Sequence, residues 1–471
     1  MLFNTIEYFV FLPIVFTLFW FVFNRKLVIQ NALILTASYI FYGWWDWRFL
    51  FLIFFSTIVD YSIGLKIYSC NDKKVKRRYL WVSFLFNLGL LGYFKYFNFF
   101  IDSWIQLASL FGFNHNNTLL LNVVLPVGIS FYTFQTMSYS LDIYFKKLKP
   151  TKDFISFAAY VSFFPQLVAG PIERASNLLP QILSTRMFSY RQGVEGLRLI
   201  LWGLFKKIVI ADSLAWRVDY CFNHYHSLDG GVLLLGLIYF SFQIYCDFSG
   251  YSDIAIGTAK LFGIELMSNF KFPYFSRDIA EFWRRWHISL SSWFRDYIYI
   301  PMGGSKGSKW ISIRNIYIIF IISGFWHGAN FTFIVWGIFH LILFIPLYLN
   351  EKNRIYLNDD PISSLKEIVQ VMGTFILVTI SWVFFRSENI IQSFDYLYSI
   401  VFQFSIPNTN RSGLIFILIV YLFEFSFQNK ERNVLNYKNK LVRYLVYIIM
   451  AYFIISDIHI YDNSQFIYFQ F

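Results

Sequence analysis

The feature that most constrains this chain is the recurrence of apolar runs close to the roughly 20 residues a helix needs to cross the hydrocarbon core of a bilayer. Such runs occupy 8–23, 28–42, 49–68, 79–97, 119–144, 197–210, 232–245, 313–326, 331–349, 368–385, 414–427 and 441–455. Allowing for short or tilted segments, they predict about 10–12 crossings. Composition agrees: of 471 residues, 57% are hydrophobic and 14% charged. A soluble domain is roughly one quarter charged, so too little polar surface exists here to clothe a water-facing globule. The 59 Phe suit hydrocarbon, while the 33 Tyr and 15 Trp suit the interface. No long polar segment interrupts the pattern. The expectation is one all-α, polytopic membrane domain over 1–471, with its motifs concentrated in about 120–345.

The net charge of +12 would suggest nucleic acid in a soluble protein. Here the basic residues fall in short loops between apolar runs, which favours a cytoplasmic-loop bias and excludes nucleic acid as the partner. Lys73, Lys74, Lys76, Arg77 and Arg78 form one such loop, and Lys146, Lys147, Lys149 and Lys152 another. Three spans precede the first cluster, which places the N-terminus outside. The segment 277–314 carries Arg284, Arg285, Arg295, Lys306 and Lys309 and is expected on the cytoplasmic side. No basic n-region or small-residue cleavage site precedes the first run, so it is expected to stay as an anchor. Cys70, Cys221 and Cys246 are far apart, which indicates neither a disulfide framework nor a cysteine metal site.

Two apolar stretches carry breakers. "YVSFFPQLVAGPIERA" holds Pro165, Gly170 and Pro171, and proline removes a backbone donor and kinks a helix. Irregular backbone at membrane depth is tolerated only under protein cover or along a cavity. A re-entrant or broken helix around a central cavity is therefore expected, against the plainer alternative of an interfacial loop. "IYCDFSGYSDIAIG" is read in the same way, with Asp247 and Asp253 flanking Ser249 and Gly250.

Two histidines stand in unusual settings. In "EFWRRWHISLSSWFRDYIYIPMGG", helical spacing puts Trp286, Leu290, Trp293 and Tyr297 on one face and Arg284, His287, Ser291 and Arg295 on another. This predicts an amphipathic helix at the membrane–water boundary. Its basic stripe, Arg284, Arg285 and Arg295, could attract an anionic donor such as a coenzyme A phosphate, or simply lipid headgroups. In "IIFIISGFWHGANFTFIVWGIFHL", His327 lies deep in an apolar run, where an ionisable residue reads first as functional. Burial keeps an imidazole neutral, which a general base requires. Gly324, Gly328 and Ala329 remove bulk around it. The alternative is a structural histidine bonded across helices. His224 and His226, at i, i+2, lack metal-ligand spacing, and no metal is expected. His340 is expected to pack within its own helix, and His115 and His459 carry little signal. "PMGGSKGSK" reads as a flexible turn. No phosphate loop, dinucleotide fingerprint or nucleophile elbow is present.

Four blocks, at 163–175, 245–264, 282–304 and 323–341, together with the ending "FIYFQF", resemble the membrane-bound O-acyltransferase family, and most of all its bacterial polysaccharide-acetylating branch. The resemblance implies a helical membrane fold with re-entrant segments around a cavity. It implies that His327 matches the family's catalytic histidine and His287 its second, more polar-side histidine. It further implies a plasma-membrane enzyme that takes an acyl group from a cytoplasmic thioester, acetyl-CoA above all, with no permanently bound cofactor. An extracytoplasmic transferase would then esterify a polysaccharide hydroxyl. A lipid or D-alanyl acceptor within the same chemistry is the near alternative. A transporter is the distant one, and it predicts an inverted repeat that the sequence does not display.

Overall fold

The computed structural model describes all residues except 113–120, 122, 123, 169, 359, 429, 459–466 and 468–471. His115, His459 and all of the final hexapeptide but Ile467 thus lie outside the described residues. Helices are the only regular elements among those described. Five helical stretches are long and apolar enough to cross a membrane unaided: Leu27–Ser69, Lys73–Leu110, Gly230–Leu261, Phe331–Leu349 and Leu365–Arg386. Their lipid-suited surface is explicit in exposed Phe51, Trp81, Leu85, Ile342 and Val369. The chain is an all-α, multi-pass membrane protein.

Packing divides it into two units, one of 10–188 with Met1 and 328–330, the other of 2–9, 189–327 and 331–471. The first contains most of α1 (Ile6–Thr17), then α2 (Leu27–Asp46), α3 (Leu50–Ser69), α4 (Lys73–Leu91), α5 (Phe97–Leu110), α6 (Ile129–Tyr144), α7 (Phe154–Val161), α8 (Phe164–Leu167) and α9 (Ala175–Ile182). Helices α3, α4 and α6 are joined by buried polar side chains. Asp60 accepts from Ser83 at 2.5 Å, Asn87 at 2.9 Å and Ser140 at 3.3 Å. Both carboxylate oxygens are met from neighbouring helices, as a dry interior requires. The Pro-rich block is broken as expected. Helix α7 stops at Val161, α8 runs for one turn, and Pro171–Glu173 continue in buried irregular chain. Gln166 reaches Gln135 Oε1 at 2.7 Å, and Gln135 in turn donates to the Tyr160 carbonyl at 2.7 Å.

The second unit holds α10 (Tyr190–Leu204), α11 (Asp212–Asn223), α12 (Gly230–Leu261), α13 (Ile279–Arg285), α14 (Ile288–Phe294), α15 (Lys309–His327), α16 (Phe331–Leu349), α17 (Leu365–Arg386), α18 (Ile390–Phe402), α19 (Leu414–Ser426) and α20 (Lys440–Asp457). Here one expectation is corrected. The Asp247–Asp253 block is not broken but lies inside the unbroken 32-residue α12. Its glycines serve a helix crossing instead: a Cβ on Gly250 would lie 2.8 Å from the Gly203 oxygen, and one on Gly257 2.5 Å from the Gly196 oxygen. Small residues let two backbones approach this closely. The aspartates meet a π-helical turn, Phe205–Ala211, where Lys206 pairs with Asp253 at 2.8 Å and Lys207 with Asp247 at 2.8 Å and Asp212 at 2.6 Å. Two lysines within the apolar run 197–210 were the signal for this buried ionic core.

Candidate active site

Helices α15 and α16 form a close hairpin in the second unit. A Cβ on Gly324 would strike the Phe333 carbonyl oxygen, and one on Gly337 the Phe320 oxygen. That approach fixes His327, the last residue of α15, which is 2% exposed. Its imidazole lies 5.1 Å from the Trp336 ring and 5.2 Å from Phe385, both edge-on, and 5.0 Å from Trp326. Edge-to-face contacts of this kind hold orientation without offering charge. His327 therefore faces aromatic protein and not lipid.

The amphipathic helix expected through His287 is interrupted. Helix α13 ends at Arg285, and His287 adopts φ 44°, in the left-handed region, before α14 begins. The break is paid for by a crossing segment: Ile288 N donates to the Asn269 carbonyl at 2.9 Å, and Lys271 N to the Arg285 carbonyl at 2.9 Å. Tertiary bonds thus override an unbroken 3.6-residue period. Asn269 also holds the imidazole. Its Oδ1 receives Ser289 Oγ at 2.9 Å and the Ser289 amide at 3.4 Å, and its Nδ2 donates to Ser252 Oγ at 3.0 Å. These partners fix which amide end is oxygen. His287 Nδ1, 3.0 Å from that oxygen, consequently carries the proton, and Nε2 carries the lone pair. His287 lies outside the spanning helices, and complete burial pushes its pKa down to about 3, so it is neutral at physiological pH.

The two histidines meet. Their ring centroids are 6.4 Å apart, with Trp326 5.8 Å from His287. A third histidine, His340, joins the same aromatic cage, 4.8 Å from Trp336 and 5.1 Å from Trp283. It does more than pack within its helix: Nε2 lies 3.0 Å from Ser381 Oγ on α17, and Ser381 spends its own proton on the Val378 carbonyl.

Beside this cage lies a cavity of about 640 Å³, lined by Trp283, Phe320, Ser323 and Phe344 within and by Arg295, Lys309 and Arg354 among its charged groups. Ser323 sits one helical turn before His327, and Trp283, 5.7 Å from Trp336, stands between the cavity and the cage. Of the three expected arginines, Arg295 alone lines the cavity, its side chain 62% exposed and paired with Asp296 at 2.8 Å. Arg284 donates to the main-chain oxygens of Asn353 and Tyr356 at 2.9 and 2.8 Å. Arg285 is buried against Glu281 at 2.7 Å, which also holds Arg277 at 2.8 Å. Lys309 was read from sequence only as cytoplasmic-side charge, and Arg354, Asn269 and Trp283 were not singled out. Asn269 has no local mark, since its importance lies in a contact 18 residues away.

Fold and site together describe a multi-pass helical membrane protein with two imidazoles buried beside a cavity of basic rim. The membrane-bound O-acyltransferase family profile matches residues 79–348, and the chain belongs to that family. It is an acyltransferase. Among curated relatives it is 40% identical over 412 residues to the probable alginate O-acetylase AlgI of Pseudomonas aeruginosa, covering 86% of this chain and 76% of that one. It is 35% identical over 421 residues to the peptidoglycan O-acetyltransferase of Helicobacter pylori, covering 83% and 78%. The teichoic acid D-alanyltransferase of Bacillus subtilis is 28% identical over 246 residues, covering 49% and 61%.

Proposed function

We propose that this enzyme takes an acetyl group from acetyl-CoA on the cytoplasmic face of the bacterial plasma membrane and passes it across for O-acetylation of a cell-envelope or exported polysaccharide. The whole chain acts as one acyltransferase domain, with an extracytoplasmic transferase as partner. The observation that carries this reading is the meeting of His287 and His327, 6.4 Å apart, beside a cavity whose rim bears Arg295, Lys309 and Arg354. The donor's phosphates are held at that rim and its thiol arm lies along Trp283 and Phe320. Arg284 and Arg285 keep the segment in shape and act on the donor only through it.

In the reaction, the neutral His327 ring takes the proton of an acceptor hydroxyl as that oxygen attacks the thioester carbonyl. The carbon–sulfur bond then breaks, and the thiolate leaves with the proton the imidazolium returns. General-base help of this kind is typically about 10²–10⁴ in rate. His287, held by Asn269, orients or polarises one of the reacting groups through Nε2. A carrier-protein thioester is the competing donor. Incubating the purified protein with radiolabelled acetyl-CoA and following thioester loss tests the donor. Mass spectrometry of envelope polymers from a deletion strain, complemented with wild type or His327→Ala, tests the rest. Unchanged polymer acetylation in the deletion strain, or wild-type acetylation with His327→Ala, would end the reading.

A further inference from the structure

A second cavity, of about 690 Å³, lies between α10 and α20, with Arg191, Arg198 and Arg443 in its lining and Glu195 the one acid there. Glu195 is already met by Lys260 at 3.3 Å and Arg191 at 3.1 Å. The lining therefore carries an excess of positive charge. Tyr447 orders it: Arg198 donates from Nε to the Tyr447 hydroxyl at 2.7 Å, and that hydroxyl donates to the Leu435 carbonyl at 3.2 Å. Held by Nε, the guanidinium presents its two terminal nitrogens as a planar fork, which suits phosphate oxygens.

The surroundings are those of a lipid boundary. Leu197 in the lining, and Leu441, Leu445 and Ile448 on α20, are 49–67% exposed. The start of α20 is basic, with Lys438, Lys440 and Arg443, which reads as the cytoplasmic side. The cavity adjoins the end of α12 through Lys260 and Gln192–Glu265 at 3.0 Å, and that end leads into the basic segment expected on the same side. Basic pockets between spanning helices at that face bind anionic headgroups.

We propose that this cavity is a binding site for the phosphodiester headgroup of an anionic glycerophospholipid of the cytoplasmic leaflet, with its acyl chains along the exposed leucines of α10 and α20. The site is separate from the acetyl-transfer cavity. The test uses full-length protein in detergent and in nanodiscs. Native mass spectrometry with phosphatidylglycerol should show retained lipid on wild type, at least fivefold less on Arg198→Gln/Arg443→Gln, and little phosphatidylcholine on either. Arg191→Gln, whose side chain is 89% exposed and so cannot disturb packing, should lose part of the retention with an unchanged chromatographic profile. Phosphatidylglycerol should raise the melting temperature of wild type more than of the double variant. Equal retention by wild type and Arg191→Gln as well as the double variant overturns the proposal. So does an equal stabilisation by millimolar glycerol phosphate, which would mark a free-anion site.

Discussion

His287 and His327 share one cage but stand in it on different backbones, and the contrast separates their expected roles. His327 ends a regular helix, with edge contacts of 5.1 and 5.2 Å to the rings of Trp336 and Phe385. His287 stands at φ 44° in a helix break, with Nδ1 tied to Asn269 at 3.0 Å. That grip selects a tautomer and fixes a direction. A group that must present the same face throughout a turnover needs such a grip.

The largest expected effect follows from removing the ring-held imidazole. His327→Ala should lower acetyl transfer by about 10²–10⁴ while leaving the protein folded. Membrane yield and melting temperature should stay near wild type. A large fall in both, with activity per folded molecule preserved, would instead make His327 a structural residue.

His287 should behave differently. His287→Ala loses the bond to Asn269, a cost of about 1 kcal/mol, and leaves a void in a fully buried position, so rate and stability should fall together. His287→Asn separates the two, since Asn is tolerated in the left-handed region. Melting temperature should recover, while transfer stays down by roughly 10². Recovery of transfer as well would show that the imidazole there is dispensable.

A finer break in the comparison comes from pH. Burial lowers the His287 pKa to about 3 from 6.5, so between those values the unfolded chain binds more protons than the native one. Stability therefore rises with pH across that window and falls as acid is added. Asn269→Asp keeps an acceptor for Nδ1 and Ser289 but adds negative charge beside the ring, which favours the imidazolium. The acid limb of the rate profile should move to higher pH, with wild-type rates approached only on the alkaline side. Asn269→Ala should lower the rate without that shift. An unmoved acid limb in Asn269→Asp would dissociate His287 titration from turnover.

How much of this was legible in sequence depends on the range of the forces involved. The runs that became α2, α3, α12, α16 and α17 were plain, because hydrocarbon imposes its demand residue by residue. His327 was plain for the same reason: one ionisable group in an apolar run stands out locally. The break at His287 was not. The aromatic and basic stripes through Trp286 and Arg295 fit one helix, and only the crossing chain at Asn269, bonding to Ile288 N and Ser289, splits it. Gly250 was misread because glycine permits a break and a close crossing alike. The choice between them lay in Gly203, 47 positions earlier, which no local pattern reveals.

The smallest effect tests the rim against the cage. Arg295 lines the cavity, but its side chain is 62% exposed and shared with Asp296, so water and salt screen it. Arg284 and Arg285 carry the same charge yet donate to Asn353, Tyr356 and Glu281. Arg295→Gln should therefore raise the KM for acetyl-CoA by roughly threefold to tenfold with kcat unchanged, and the difference should shrink as ionic strength rises. Lys309→Gln should do the same, since Lys309 shares the lining. Arg285→Gln should leave KM alone in the folded fraction and reduce yield, because it strands part of the charge on buried Glu281. A fall in kcat for Arg295→Gln at constant KM would move that residue from the donor rim into the reacting centre and would remove the distinction drawn here between groups that gather the donor and groups that act on it.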